Sequence, residues 1–269
     1  MVITGSNSLM LRSLIDRMAK EFSMKDLDAL HYFFGIEVVR IYKGLSLSQA
    51  KYALNLLTRE EMADCKPIST PFLVGSHLTD LGTSYLDATQ FCSLAGALQY
   101  LTVTRPDLSY SVNSTCQYMH APTIDHFRAL KHILRYVKGT YHYGLQLSWD
   151  SPQTLLGYSD ADWAGCPVTR HSTIGFTVYL GRNLISWCSK KQTTVACSSA
   201  EIEYRALASI VAELSWTLQL LRELQITFPS PLRLFCDNNS SIFIASNPVT
   251  KSRSKHIDID YHFVRELIA

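Results

Sequence analysis

Residues 198–224, SSAEIEYRALASIVAELSWTLQLLREL, constrain this chain more than any other segment. At 3.6 residues per turn, Ala206, Leu207, Ile210, Val211, Leu214, Leu218 and Leu221 fall within about 80° of Glu203 around the axis. A long helix with one apolar stripe must lay that stripe on another element. The neighbouring segments supply a sheet. Leu155–Asp160, Ile174–Leu180 and Leu184–Ser189 read as strands before the helix, with a turn at Gly181-Arg182-Asn183, and Leu232–Cys236 reads as a strand after it. A short helix over Asn239–Ser246 follows. Three hairpin-like strands, a helix and a fourth strand reached by a crossover form an α/β pattern.

Glu203 lies on the axis of the apolar stripe, whereas Glu201 lies about 160° away. A carboxylate on a packing face is costly unless it is paired or metal-bound. The alternative is a solvated carboxylate at the edge of the first turn, helped by the helix dipole. Asp160 and Asp237 share a context, each ending a predicted strand: Leu-Leu-Gly-Tyr-Ser-Asp160 and Leu-Arg-Leu-Phe-Cys-Asp237. If those strands are parallel neighbours, both carboxylates emerge at the sheet edge where open α/β folds place their sites. Glu203, at the start of the crossover helix, would face them. Hard cations such as Mg²⁺ take oxygen ligands of this kind. Two such ions about 4 Å apart activate water and stabilise the leaving oxygen of a phosphodiester. For either aspartate alone, a turn or capping role is the commoner explanation.

The preceding sequence divides into two regions. Over 1–72 it reads as a helix (Leu9–Phe22), a strand (Phe33–Val39), a turn at Lys43-Gly44, a strand (Leu45–Ser48) and a helix (Gln49–Met62). Lys66-Pro67-Ile68-Ser69-Thr70-Pro71 cannot continue that helix, because each proline lacks an amide donor and restricts its predecessor; it is a linker. Over 73–150 the pattern is mostly helical. A helical run follows Asp107 to about Met119, and a helix over Asp125–Val137 has Thr123 as its N-cap and Gly139 at its end. On that helix Arg128, Lys131, Arg135 and Lys138 span roughly 80° of arc beside an apolar arc of Phe127, Leu130, Leu134 and Val137. Four cations so placed form either an ordinary solvated face or a track along phosphates.

Charge and cysteine usage narrow the function classes. The formal charge of +2 is too small to imply nucleic-acid binding by itself, so any basic surface has to be local. Cysteines at 65, 92, 116, 166, 188, 197 and 236 form no CxxC pair and no Cys/His cluster at zinc spacing. Their odd, scattered number fits reduced thiols in an intracellular protein. No stretch approaches the roughly 18 apolar residues of a membrane span, and the start lacks a signal-peptide core.

The motifs GYSDADWAG (157–165), TIGFTVYLG (173–181), ISWCSKKQ (185–192), SSAEIEYRALA (198–208), FCDNNSS (235–241) and KHIDIDYHFVRE (255–266) resemble the RNase H region of copia-type retrotransposon Pol polyproteins. Upstream, FSMKDLDALHYFFGIEV (22–38), LSLSQAKYALNLL (45–57), CKPISTPF (65–72), LAGALQYLTVTRPDLSYSVN (94–113) and HILRYVKGT (132–140) resemble the end of the reverse transcriptase and the connection after it. The resemblance covers essentially the whole chain in one order.

It implies a composite α+β and α/β architecture. A reverse-transcriptase palm remnant (1–72) and a helical thumb/connection (73–150) precede an RNase H-like mixed β-sheet flanked by helices (151–269). It implies Asp160, Glu203 and Asp237 as catalytic and Mg²⁺-binding carboxylates, an RNA–DNA hybrid as partner, and a cytoplasmic particle or the nucleus as location. Asp162 and Glu201 lack the family match. Asp28 stands where the family usually has glycine.

In the family MVITGSN follows a Tyr-x-Asp-Asp turn that supplies polymerase ligands, so polymerisation is not expected of this chain. KHIDIDYHFVRE precedes a further strand and a helix bearing a fourth acid, which leaves strand 232–236 an expected edge. Asp258 and Asp260 are not assigned as substitutes, and His256 and His262 either approach substrate or pack. The expected activity is hydrolysis of RNA in RNA–DNA hybrids. The competing reading is a catalytically silent nucleic-acid-binding module or the product of a decayed element.

Overall fold

The computed structural model describes residues 2–27, 29–72, 78–247 and 258–268, so Asp28 and His256 lie outside the described residues. Side chains of the first turn fix several helix starts, because the opening amides of a helix have no partner within it. Asn7, Asp87, Thr123, Ser198 and Asn238 each accept a hydrogen bond from such an amide.

The N-terminal half opens with α1 (Ser8–Glu21), none of whose residues is buried. The segment expected as one strand over 33–39 is instead a hairpin of β1 (Tyr32–Phe33) and β2 (Ile36–Ile41). Its two central residues, Phe34 and Gly35, have φ of 47° and 73°, the positive values a tight hairpin turn requires. Gly35 is needed twice over, since a Cβ there would lie 2.8 Å from the Tyr100 hydroxyl. After β3 (Gly44–Ser48) come α2 (Ala50–Arg59), α3 (Ala88–Leu101), a short 3-10 turn (Pro106–Leu108), α4 (Ser109–Cys116) and α5 (Ile124–Thr140).

Gly139 does not end α5: the helix runs on to Thr140 and is capped by Tyr141. The buried guanidinium of Arg105 donates to the Thr140 carbonyl and hydroxyl at 2.8 and 2.7 Å while pairing with Asp107 at 2.7 Å. It thereby satisfies the last carbonyl of the helix without a left-handed glycine.

An unexpected strand, β4 (Gly144–Ser148), pairs antiparallel with β3 from Gly44↔Ser148 to Ser48↔Gly144 and completes a sheet in the order β1-β2-β3-β4. Five residues between a helix and a Trp-Asp-Ser-Pro loop carry too little periodicity to announce a strand whose partner lies about a hundred positions upstream. One core joins Ala53, Leu56 and Leu57 of α2 to Phe91, Leu94 and Leu98 of α3, Val112 of α4, and Leu130, Ile133, Leu134 and Val137 of α5.

In the C-terminal half, β5 (Leu155–Asp162), β6 (Thr173–Leu180) and β7 (Asn183–Lys191) form an antiparallel meander. The crossover helix α6 (Ser199–Glu223) then leads to β8 (Arg233–Cys236), parallel to β5, in a sheet ordered β7-β6-β5-β8. Among the described residues β8 is an edge strand. The stripe on α6 is buried as expected, with Ile210 and Leu214 on Leu155 and Val178, and Ile202 and Ala206 on Ile174.

The rest of the stripe is buried against helices rather than the sheet, with Tyr204 beside it. Tyr204, Leu207 and Val211 pack with Ala245 of α7 (Asn239–Ser246) and with Tyr261 and Val264 of α8 (Asp258–Ile268). The halves meet where Asn183 bonds both backbone groups of Ser148 at 2.7 and 3.0 Å and where the Trp187 indole donates to the Thr102 carbonyl at 3.2 Å. Among the described residues no helix is long and apolar enough to cross a membrane.

Candidate metal centre

The parallel pairing of β5 with β8 ends at Ser159 and Cys236, so the next residues, Asp160 and Asp237, emerge side by side. Asp160 does not end its strand as expected, because pairing with β6 carries β5 on to Asp162. Both are exposed. Glu203 reaches this edge from the first turns of α6. The helix comes close because β5 offers a glycine beneath it. A Cβ on Gly157 would stand 2.7 Å from Ile210 Cδ1 and 2.9 Å from Leu214 Cδ1.

Glu203 is 7% exposed, and its Oε2 is a buried oxygen without a hydrogen-bond partner. Burial pushes its carboxyl up from the ordinary 4.5 to about 7, and the charges of Asp160 and then Asp237 push the same way. A hydrogen bond from the Ala161 amide acts in the opposite sense. The edge-solvated alternative therefore does not describe this residue. A buried carboxylate facing two more, with one oxygen unused, is an electrostatic arrangement that a cation relieves. Glu203, Cys236 and Asp237 each present a ligand atom within 4.8 Å of the others.

The other acids are differently employed. Glu201 is also buried, but it accepts from the Cys197 amide at 2.7 Å and pairs with Arg205 at 2.9 Å. Asp162 is exposed and lines a small cavity with Lys191 and Tyr110. Asp260 feels the charge of Arg205, and His262 is exposed with its ring against Tyr261.

Spacing alone did not single out Cys236. Cys236 has no Cys or His partner at metal-ligand spacing in the sequence, whereas alternation along β8 turns Leu234 and Cys236 inward toward α6.

The cationic arc of α5 is not the free track its spacing suggests. Arg128 pairs with Asp125 at 2.8 Å, Lys131 donates to the Glu60 carbonyl at 3.0 Å, and Arg135 donates to the Lys66 carbonyl at 2.9 Å. His132 bonds the Thr70 carbonyl at 3.0 Å, so this face holds the proline linker against the helix. Lys138 is half-buried.

Together these features define a mixed α/β protein with a carboxylate cluster at a sheet edge. Residues 1–74 match the family described as reverse transcriptase (RNA-dependent DNA polymerase). The chain is 47% identical over 268 residues to a retrovirus-related Pol polyprotein from transposon RE2 of Arabidopsis thaliana, covering 99% of this chain and 18% of that protein. It is 34% identical to the corresponding polyprotein from transposon TNT 1-94 of Nicotiana tabacum, covering 100% of this chain and 21% of that protein. An uncharacterized mitochondrial protein of Arabidopsis thaliana is 50% identical over 80% of this chain and 90% of its own length. The chain belongs to the copia-type retrotransposon Pol polyproteins, as a fragment spanning about a fifth of those two transposon polyproteins. No solved structure matches it.

Proposed function

We propose that residues 151–269 form an RNase H-like nuclease unit that hydrolyses the RNA strand of RNA–DNA hybrids with Mg²⁺. The observation that carries this reading is Glu203. It is buried, has an unused oxygen, and faces Asp160 and Asp237, which follow the last paired residues of the parallel β5–β8 ladder. The donor set fits the ion, because Asp160, Glu203 and Asp237 offer carboxylate oxygens and two of them stand at solvent, where coordinated waters have room.

When bound, Mg²⁺ supplies an activated water and charge stabilisation at the leaving oxygen. The chain supplies the framework. The β5–β8 pairing fixes the spacing of Asp160 and Asp237, and the close seat of α6 on Gly157 fixes the height of Glu203. Hybrid recognition through phosphates and ribose 2′-hydroxyls gives little sequence preference. The reverse-transcriptase match over 1–74 carries no step of this proposal.

The test is cleavage of a labelled RNA–DNA hybrid with Mg²⁺. Asp160→Asn and Glu203→Gln are expected to abolish cleavage while retaining hybrid binding. Equal cleavage by the wild type and both variants would sink the assignment. Binding without cleavage by the wild type would identify a silent nucleic-acid-binding module instead.

A further inference from the structure

We propose that Glu203, Cys236 and Asp237 form a Zn²⁺ site in which the Cys236 sulfur is a ligand, so that Zn²⁺ displaces Mg²⁺ from the shared carboxylates and switches the centre off. The inhibitory consequence rests on the nuclease reading above; the binding site does not.

Three observations converge. One ligand atom from each residue lies within 4.8 Å of the other two. Glu203 is more than nine-tenths buried, and its Oε2 has no partner. Cys236 turns inward between β8 and α6, on the side of the sheet from which Glu203 approaches.

Tetrahedral Zn²⁺ with Zn–S of about 2.3 Å and Zn–O of about 2.0–2.2 Å holds its ligand atoms roughly 3.3–3.6 Å apart. The ligand atoms already lie within 4.8 Å of one another, so closing the cluster to that spacing asks of each a shift of about 1 Å, the scale of a side-chain rotation.

The donor set also decides which ion it prefers. Mg²⁺ takes oxygen ligands in octahedral geometry and gains nothing from a sulfur. Zn²⁺ accepts thiolate and carboxylate together, and three protein ligands leave its fourth position for water. On binding, the Cys236 S–H bond breaks, an S–Zn bond forms, and one proton goes to solvent. No electron moves. A tetrahedral ion anchored on Glu203 and Asp237 occupies two of the three carboxylates that the Mg²⁺ ions would share.

Co²⁺ is the probe, because sulfur ligation gives it a thiolate-to-metal charge-transfer band in the near ultraviolet. The metal-free wild-type chain is expected to develop that band at one equivalent of Co²⁺ and to lose it on adding Zn²⁺. Cys236→Ser is expected to lack the band and to bind Zn²⁺ at least about 10–100-fold more weakly, the loss already typical of an outer-shell partner. Cys197→Ser, which alters an exposed thiol, is expected to keep the band. Circular dichroism checks that both variants fold.

In the hybrid-cleavage assay the Zn²⁺ concentration for half-inhibition, taken relative to each protein's own Mg²⁺-dependent rate, is expected to rise by a similar factor in Cys236→Ser. A band that persists in Cys236→Ser, disappears in Cys197→Ser, or never forms in the wild type overturns the site. A Cys236-dependent band in a chain that cleaves no hybrid leaves the zinc site standing and overturns the nuclease reading. Cleavage without the band does the reverse.

Discussion

Replacing Glu203 by glutamine should shift the stability of the metal-free protein progressively in the variant's favour as the pH rises. Burial and the neighbouring Asp160 and Asp237 lift the Glu203 carboxyl from 4.5 to about 7. The folded chain therefore keeps a proton that the unfolded chain releases. For an acid shifted upward, stability is highest below pH 4.5 and is lost as the pH climbs through about 7. At about 1.4 kcal/mol for each tenfold change, the ionised group costs the fold roughly 3 kcal/mol by about pH 8 and roughly 1 kcal/mol at about pH 5.

Glu203→Gln removes that cost. The buried amide brings its own unsatisfied hydrogens, a penalty of about 1–3 kcal/mol that is the same at both pH values. The decisive quantity is therefore the change in the gap between the two proteins, about 2–3 kcal/mol. With a urea dependence of about 1–3 kcal/mol per molar, the midpoint difference should move by about 0.7–3 M. Urea unfolding followed by circular dichroism in EDTA, at about pH 5 and about pH 8, measures it. A gap that stays constant between the two conditions, or that widens toward acid, refutes the electrostatic account of Glu203.

Other consequences of the packing can be checked on the same chain. His126 is buried, with Nδ1 accepting from the Thr123 amide at 3.0 Å and Nε2 donating to the Thr79 carbonyl at 3.1 Å. Burial holds its pKa below 6.5, so its contribution is complete above 6.5 and is lost as the pH falls. The urea midpoint of the wild type should drop, relative to His126→Gln, between about pH 7.5 and about pH 5.5, and parallel pH profiles would exclude a titrating His126. Gly157→Ala should cost about 1–3 kcal/mol, because the new Cβ meets Ile210 and Leu214 inside 3.0 Å. An unchanged urea midpoint would mean that α6 does not depend on that close seat.

The arrangement around Glu203 has a stability cost of the kind functional sites carry. Three carboxylates share one sheet edge, and the guanidinium of Arg205, on the same helix, is committed to Glu201 and Thr194. Glu201 can be as buried as Glu203 because its charge is answered by that arginine and by the Cys197 amide. The distinction between the two glutamates is one of partners, not of depth.

What the sequence determined by itself was everything governed by local bonding and periodicity. The 3.6-residue stripe located α6 and put Glu203 rather than Glu201 on the face that meets the sheet. Thr123 marked the start of α5, and the ending of an apolar run put Asp237 just past a strand terminus, whereas β5 runs on beyond Asp160 to Asp162. Tertiary structure decided what depends on contacts distant in sequence. It supplied the β3–β4 ladder between positions about a hundred residues apart and the hairpin turn at Phe34-Gly35, seated under Tyr100. It committed Lys131 and Arg135 to main-chain carbonyls of the segments beside α5.

The carboxylate cluster needed both levels. Each acid could be placed on its own element from the sequence, but an element's register does not say which neighbour it will face. Only the parallel β5–β8 pairing and the seating of α6 brought Glu203 to Asp160 and Asp237, left its Oε2 without a partner, and set Cys236 beside it.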